Sequence, residues 1–346
     1  KQSTKLPDPK KYAATITTED LSKHLYIIAG AEMEGRETAT EGQRKAAAYI
    51  EQQFKSIGLL PGKSGSYQQH FPVYKDEVGA TELVVNGKNY EVGKDFVPFT
   101  QWNSNATSYF SEIVFVGHGI VDKEVDDYAK LSVIGKAVLL LDGAPAGFKP
   151  SAAGFRASTS VYSKIMAARS KGAAAVIIAG NNFPRRVSAS GNMYVELYKA
   201  DQYPNTFTVS DGVAKAIAGS DSSWTAWATS GKSGKVDGTV INTNVKLSYT
   251  KKTIELSSSN VLGYVEGSDK KDEWLIVTSH YDHEGIKNGQ IYYGADDDGS
   301  GTVGVIEMAE AFAKAKAEGK GPRRNVLFMT VSGEEKGLWG SEYYSD

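Results

Sequence analysis

Two short apolar runs late in the chain, Trp274 to Thr278 and Asn325 to Val331, constrain the fold most, because each ends in residues that do not belong in a core. The first run is followed by His280, Tyr281 and Asp282, and the second by Glu334 and Glu335. Between them, Asp296, Asp297 and Asp298 sit in the glycine-flanked stretch Gly294 to Gly301. Runs of this length predict buried strands, while Val303 to Ala317 carries Ile306, Ala309 and Ala313 at helical spacing. Strand, loop, helix, strand predicts an α/β unit with a parallel-containing sheet and helices on both faces. In such sheets, chemistry gathers at the carboxyl ends of the strands.

Each polar group has a bland reading beside a chemical one. A histidine just past a strand, with Asp two residues on, can keep one ring nitrogen for a metal while the acid orients the ring; it equally suits a surface turn. Three consecutive carboxylates repel one another, and a cation relieves that repulsion. Without one, they suit a solvated loop at the start of a helix, where negative charge is favoured. Adjacent glutamates at a strand end can divide the work between metal binding and proton transfer, or form an exposed acidic turn.

Other chemistries fail on spacing. An EF-hand register on Gly299 puts Gly294 at position one and Val305 at position twelve, so ligands are missing. Gly299 to Gly304 matches GxGxxG, but three acids precede it and no strand leads into the first glycine. His283-Glu284 begins an HExxH pattern, yet position 287 is Lys. No GxSxG elbow exists, and neither Gly62-Lys63-Ser64 nor Gly231-Lys232-Ser233 has the glycine that a P-loop requires. His118, in Val-Gly-His-Gly-Ile, reads as a turn residue.

Composition narrows the remaining classes. With 346 residues and 40% hydrophobic content, the chain can bury two ordinary cores. The net charge of −2, with no basic stripe, excludes nucleic acid as the expected partner. No apolar run approaches the roughly 18 residues of a membrane span. The absence of cysteine excludes disulfides and thiolate sites, so any metal must use His and carboxylate ligands. The chain opens on Lys1 and stays polar to Lys10, as if a leader had been removed. With 19 Tyr and 36 Gly, it reads as an exported bacterial protein, periplasmic or secreted.

Earlier segments read as follows. Residues 17–58 are helical, with Thr17 or Thr18 as a cap and Ala46, Ile50, Phe54 and Ile57 on one face, ended by Gly58. Tyr67 to Tyr74 is a strand, and Asn86-Gly87 a hairpin turn. Ile113 to Gly117, Ala137 to Leu141, Ala173 to Ala179 and Pro204 to Ser210 are strands; Tyr162 to Ser170 and Gly212 to Ala218 are helices. Gly219 to Gly238, rich in Gly, Ser and Lys, reads as a loop.

Taken together, His280-Tyr-Asp282-His-Glu-Gly, Gly294-Ala-Asp-Asp297-Asp-Gly-Ser-Gly301 and Glu334-Glu335-Lys-Gly-Leu-Trp-Gly-Ser341 resemble the co-catalytic zinc aminopeptidases of metallopeptidase family 28. The middle block resembles that family's protease-associated (PA) insert through Ile113 to Ile120, Gly135 to Leu140 and Lys171 to Val176. Leu21 to Leu60, with Glu34-Gly-Arg36, resembles its N-terminal helices. The resemblance implies a phosphorylase/hydrolase-like mixed sheet with a small β-rich α/β insert. The implied boundaries are 1–80 for the N-terminal helices and first strand, 81–250 for the insert and 251–346 for the peptidase core. It implies two zinc ions and a peptide substrate. His280 would bind one metal, Glu335 the other, and Asp297 both. Asp282 would hold the His280 tautomer, and Glu334 would be the general base. Asp296 and Asp298 would cap the helix or support the ligands.

The family pattern also includes an Asp and a His downstream of Glu-Glu. Residues 336–346 offer only Glu342 and Asp346 as acids and no histidine. The expectation is therefore a fragment lacking its C-terminal part. It would be inactive or nearly so, hold one zinc or none tightly, and be prone to associate through an unfinished sheet. A carboxypeptidase or dipeptidase of the same family, and a non-catalytic PA binding module, stay open as alternatives.

Overall fold

The computed structural model describes residues 8–62, 65–197, 202–232 and 238–346. Parts of both Gly-Lys-Ser tripeptides and of the polar N-terminal stretch lie outside the described residues. The chain forms two compact units, one made of the residues up to Tyr74 together with Glu255–Asp346, the other of Lys75–Ile254. The chain passes between them within the long strands Gln68–Val85 and Thr239–Val265.

The first unit holds the polar strand ends. Helix α1 (Thr18–Ile28) starts at Thr17, whose side chain accepts from the Asp20 N–H. Helix α2 (Glu41–Ile57) ends on Gly58 at φ 84°, a left-handed position that glycine takes without a Cβ clash. Strand β1 (Thr239–Val265) contributes its last residues to this unit, followed by β2 (Lys270–His280), α3 (Ser300–Ala317), β3 (Arg324–Val331) and α4 (Trp339–Ser345). Strand β2 runs parallel to β3, with His280 beside Val331, and β3 runs antiparallel to β1. The sheet is therefore mixed.

Alternation along β3 sorts its residues between two faces. Val326 and Phe328 join Ala46, Ile50 and Phe54 of α2 and Val303 and Ile306 of α3 in the larger core. Leu327, Met329 and Val331 face the other way, with Leu262 and with Tyr344 of α4. Both faces carry helices, unequally. Each fully buried Phe or Ile here contributes on the order of 1.5–3 kcal/mol. Trp274, Leu275 and Ile276 of β2 stay about half exposed.

In the second unit, Ala106–Phe115, Ala137–Leu141, Ala175–Ala179 and Asn205–Val209 form a parallel run. Alternate residues divide between a core around Phe115, Leu139, Ile177 and Phe207 and another around Val114, Val138, Leu140 and Val176. The hairpin at Asn86-Gly87 is present, with Val85 opposite Lys88. The loop expected over Gly219 to Gly238 is instead a helix, Asp221–Lys232; positions 233–237 lie outside the described residues. Composition hid it, because its anchors are only two side chains. Trp224 is buried in the core and Trp227 stacks on Phe115, with the Ser223 N–H donating to Ser220 Oγ at the entry. Among the described residues, no helix is long and apolar enough to cross a membrane.

Candidate metal centre

Because β2 and β3 are parallel neighbours, their carboxyl ends place His280 beside the segment that leads to Glu334 and Glu335. Gly333, at φ 81°, turns the chain into a 3-10 turn over Glu334–Lys336. The acidic loop Ala295–Gly299 enters α3 from the same side. Asp298 does not face the other acids: its Oδ1 accepts from the Gly301 N–H at 3.0 Å and its Oδ2 from the His280 N–H at 3.3 Å. It caps α3 and ties the loop to β2. The Asp296 side chain is exposed.

Asp297 is the acid that meets the histidine. Its Oδ1 lies 3.1 Å from His280 Nε2, and Glu334 Oε2 lies 3.8 Å from the same nitrogen. The other ring nitrogen, Nδ1, is 3.1 Å from the Asp282 carbonyl oxygen and 3.7 Å from the Asp282 carboxylate. A proton on Nδ1 thus has an acceptor, and Nε2 faces the acids, where a metal would take the place of its proton. Burial lowers the His280 pKa, but Asp282 and then Glu334 outweigh it and hold the ring at about 9.

Asp282 is fully buried. Its Oδ2 accepts from the Thr38 hydroxyl at 2.8 Å and its Oδ1 from the Glu334 N–H at 3.3 Å. The acid therefore fixes the loop after β2, the turn after β3 and, through its carbonyl, the ring of His280.

A second histidine completes the group. His283 Nδ1 lies 2.7 Å from Glu335 Oε1, and His283, Asp297 and Glu335 each present a ligand atom within 4.8 Å of the others. The sequence reading set His283 aside as a broken HExxH start. The structure shows why that motif misleads: Lys287 pairs with Glu284, while His283 turns toward Glu335. The usable signal was the His-Tyr-Asp-His spacing at the end of a strand. Gly294 makes room for this ring: at φ 55°, an added Cβ would sit 2.5 Å from His283 Cγ.

The donors can be tested against a metal. His283 Nδ1 and Glu335 Oε1 are both buried, and among the described residues neither has a hydrogen-bond partner despite their 2.7 Å approach. The two atoms meet outside hydrogen-bond geometry, so a buried imidazole nitrogen and a buried carboxylate oxygen, both metal-ligand atoms, are left without the partner that a cation would supply. Imidazole nitrogens and carboxylates without thiolates are a zinc-type donor set. The residues fit such an ion.

Fold and site together define an α/β protein with a histidine–carboxylate group able to hold a metal at the ends of parallel strands. Residues 260–346 match the model of Peptidase family M28. Over 97 residues the chain is 33% identical to a probable glutamate carboxypeptidase of Arabidopsis thaliana, covering 28% of this chain and 13% of that protein. It is 36% identical over 89 residues to a probable zinc metalloprotease of Leptosphaeria maculans, covering 25% and 19% respectively. It is 31% identical over 103 residues to an aminopeptidase of Rattus norvegicus, covering 30% and 13%. The matches thus span less than a fifth of these relatives' lengths. Among solved structures, an aminopeptidase from Aneurinibacillus sp. strain AM-1 aligns over 97% of this chain and 68% of its own, at 19% identity and a TM-score of 0.49.

Proposed function

We propose that the chain carries the site of a zinc-dependent exopeptidase that removes residues from peptide N-termini and works with two metal ions. The observation that carries this reading is that Asp297 belongs to both donor groups. It meets His280 on one side and His283 with Glu335 on the other. A carboxylate shared by two groups of ligands is suited to bridging two ions. In this reading His280 would hold one ion, Glu335 and His283 the other, with Asp297 available to both. Bound zinc would supply Lewis acidity toward a peptide carbonyl and toward water.

The chain's own residues supply the proton handling. Glu334 is 38% exposed and lies 3.8 Å from His280 Nε2, so its carboxylate reaches the site yet stays open to solvent. It takes the proton of the attacking water as that oxygen bonds to the carbonyl carbon. It returns a proton to the departing amine nitrogen as the C–N bond breaks. Asp282 holds the ring of His280 and the N–H of Glu334, fixing acceptor and ligand relative to each other. We read the second unit as a PA-type module. The Tyr- and Gly-rich composition supports an extracytoplasmic place of work.

A carboxypeptidase reading rests on the name of the Arabidopsis relative. Where the protein turns over substrate, zinc-dependent release of p-nitroaniline from free-amine but not N-acetylated aminoacyl p-nitroanilides is the expected result. Cleavage of N-blocked dipeptides with a free carboxylate instead would move the assignment to the carboxyl end.

A further inference from the structure

Arg36 lies far from the metal donors in sequence and has no part in the chemistry above, yet it is fully buried. Its guanidinium spends its hydrogen bonds on backbone carbonyls. Nε donates to Tyr281 O at 2.6 Å, Nη1 to Ile28 O at 2.7 Å and Tyr293 O at 2.8 Å, and Nη2 to Gly294 O at 2.8 Å. Tyr281 lies between His280 and Asp282, and Gly294 opens the acidic loop that bears Asp297. Ile28 ends α1. One planar fork therefore joins two of the three ligand-bearing segments to a helix end.

The backbone that delivers this side chain is itself unusual. Glu34, Gly35 and Arg36 have φ of 53°, 70° and 53°, three consecutive residues in the left-handed region. For side chains bearing a Cβ such conformations are sparsely populated and persist only where surrounding contacts demand them. Three contacts of this segment lead to the site. The Gly285 N–H donates to Gly35 O at 3.0 Å, the His283 N–H to Arg36 O at 3.2 Å, and Lys336 Nζ to Glu37 Oε1 at 3.0 Å. An added Cβ on Gly35 would lie 2.5 Å from both Gly285 O and Tyr292 O, so the segment packs tightly on the loop it supports.

We propose that Arg36 is the positioning residue of the metal centre: its buried guanidinium clamps the His280–His283 loop to the Gly294–Asp298 loop and holds a fixed positive charge behind the donor acids. Burial lowers its pKa to about 10, with Asp282, Asp297 and Asp298 pulling the other way, so it stays charged at neutral pH. The fork geometry matters as much as the charge. A lysine keeps the charge but has three donors on one nitrogen and cannot span four separated carbonyls.

This inference rests on the two-metal reading for its functional consequence but not for its structural one, so the test measures both. Amide hydrogen exchange is followed in the metal-free full chain for wild type, R36K and R36M, and zinc affinity is then measured by competition with a chromophoric chelator. The expected result for R36M is faster exchange confined to about residues 281–299, with α2 and the second unit unchanged. Zinc affinity should fall by roughly 10–100-fold, as for loss of other ligand-orienting partners. R36K should loosen the same segment and lose part of the affinity. Unchanged exchange over 281–299 in folded R36M would overturn the proposal. Should R36M fail to fold, folded R36K with wild-type exchange and zinc affinity would overturn it equally. If R36M loosens the segment while wild type takes up no zinc, the clamp stands and the metal assignment falls.

Discussion

Both units gather titratable side chains at the carboxyl ends of parallel strands, and they resolve the resulting charge in opposite ways. In the second unit His118 follows Ala106–Phe115, and the neighbouring strand ends at Leu141. There the buried Lys164 Nζ donates to Leu141 O at 2.8 Å and Gly143 O at 2.5 Å. Burial, and then Lys164, lower the pKa of His118, so this cluster carries its own cation. In the first unit His280, His283, Asp297, Glu334 and Glu335 converge with no lysine or arginine in direct contact among the described residues. Position at a strand end does not separate a structural cluster from a chemical one. The lysine held within one cluster and not in contact with the other does.

The sharpest way to break this contrast is to remove the group assigned to proton transfer. In zinc-loaded protein that turns over an aminoacyl p-nitroanilide, E334Q should lower kcat by about 10²–10⁴-fold while bound zinc, measured by atomic absorption, stays near the wild-type level. Turnover that survives the change would remove Glu334 from its role. Asp297 comes next, since it serves both donor groups. D297N should weaken zinc binding by at least the roughly 10–100-fold seen for outer partners, with both ions affected in a calorimetric titration. Loss of one ion alone would show that it does not bridge.

On the other side of the comparison, K164M should leave zinc uptake unchanged and cost about 1–3 kcal/mol in urea unfolding, because the two carbonyls lose their donor. Burial, opposed by Asp142 and Asp127, lowers Lys164 from 10.5 to about 8. Between these values the unfolded chain binds more protons, so this group makes stability rise with pH over that window, and K164M should flatten the rise. The smallest effect is expected at Glu307, raised from 4.5 to about 7 by burial and then by Glu310 and Asp20. Its folded pKa exceeds its unfolded one. Its contribution is therefore complete below about pH 4.5 and is lost as pH rises through 7, a slope that E307Q should remove from urea midpoints.

The core of the site was legible because its parts are local. His280 and the glutamate pair each follow an apolar run, and Asp297 lies among consecutive acids flanked by glycines, so all of them stood out from the residues alone. What could not be read depends on contacts distant in the chain. Thr38 reaches Asp282 across 244 positions, and Arg36 reaches Gly294 across 258, with nothing local to announce either. His283 was hidden by a better-known motif that it only begins. The helix Asp221–Lys232 was missed because its weak helix formers are held by two tryptophans against a core assembled from elsewhere.

The most direct test of the shared role of Asp297 is a zinc-edge anomalous difference map from crystals grown with zinc. Two peaks about 3.5–4 Å apart, flanking Asp297 with His280 beside one and Glu335 beside the other, are the predicted result. A single peak, or peaks away from Asp297, would contradict the two-metal assignment.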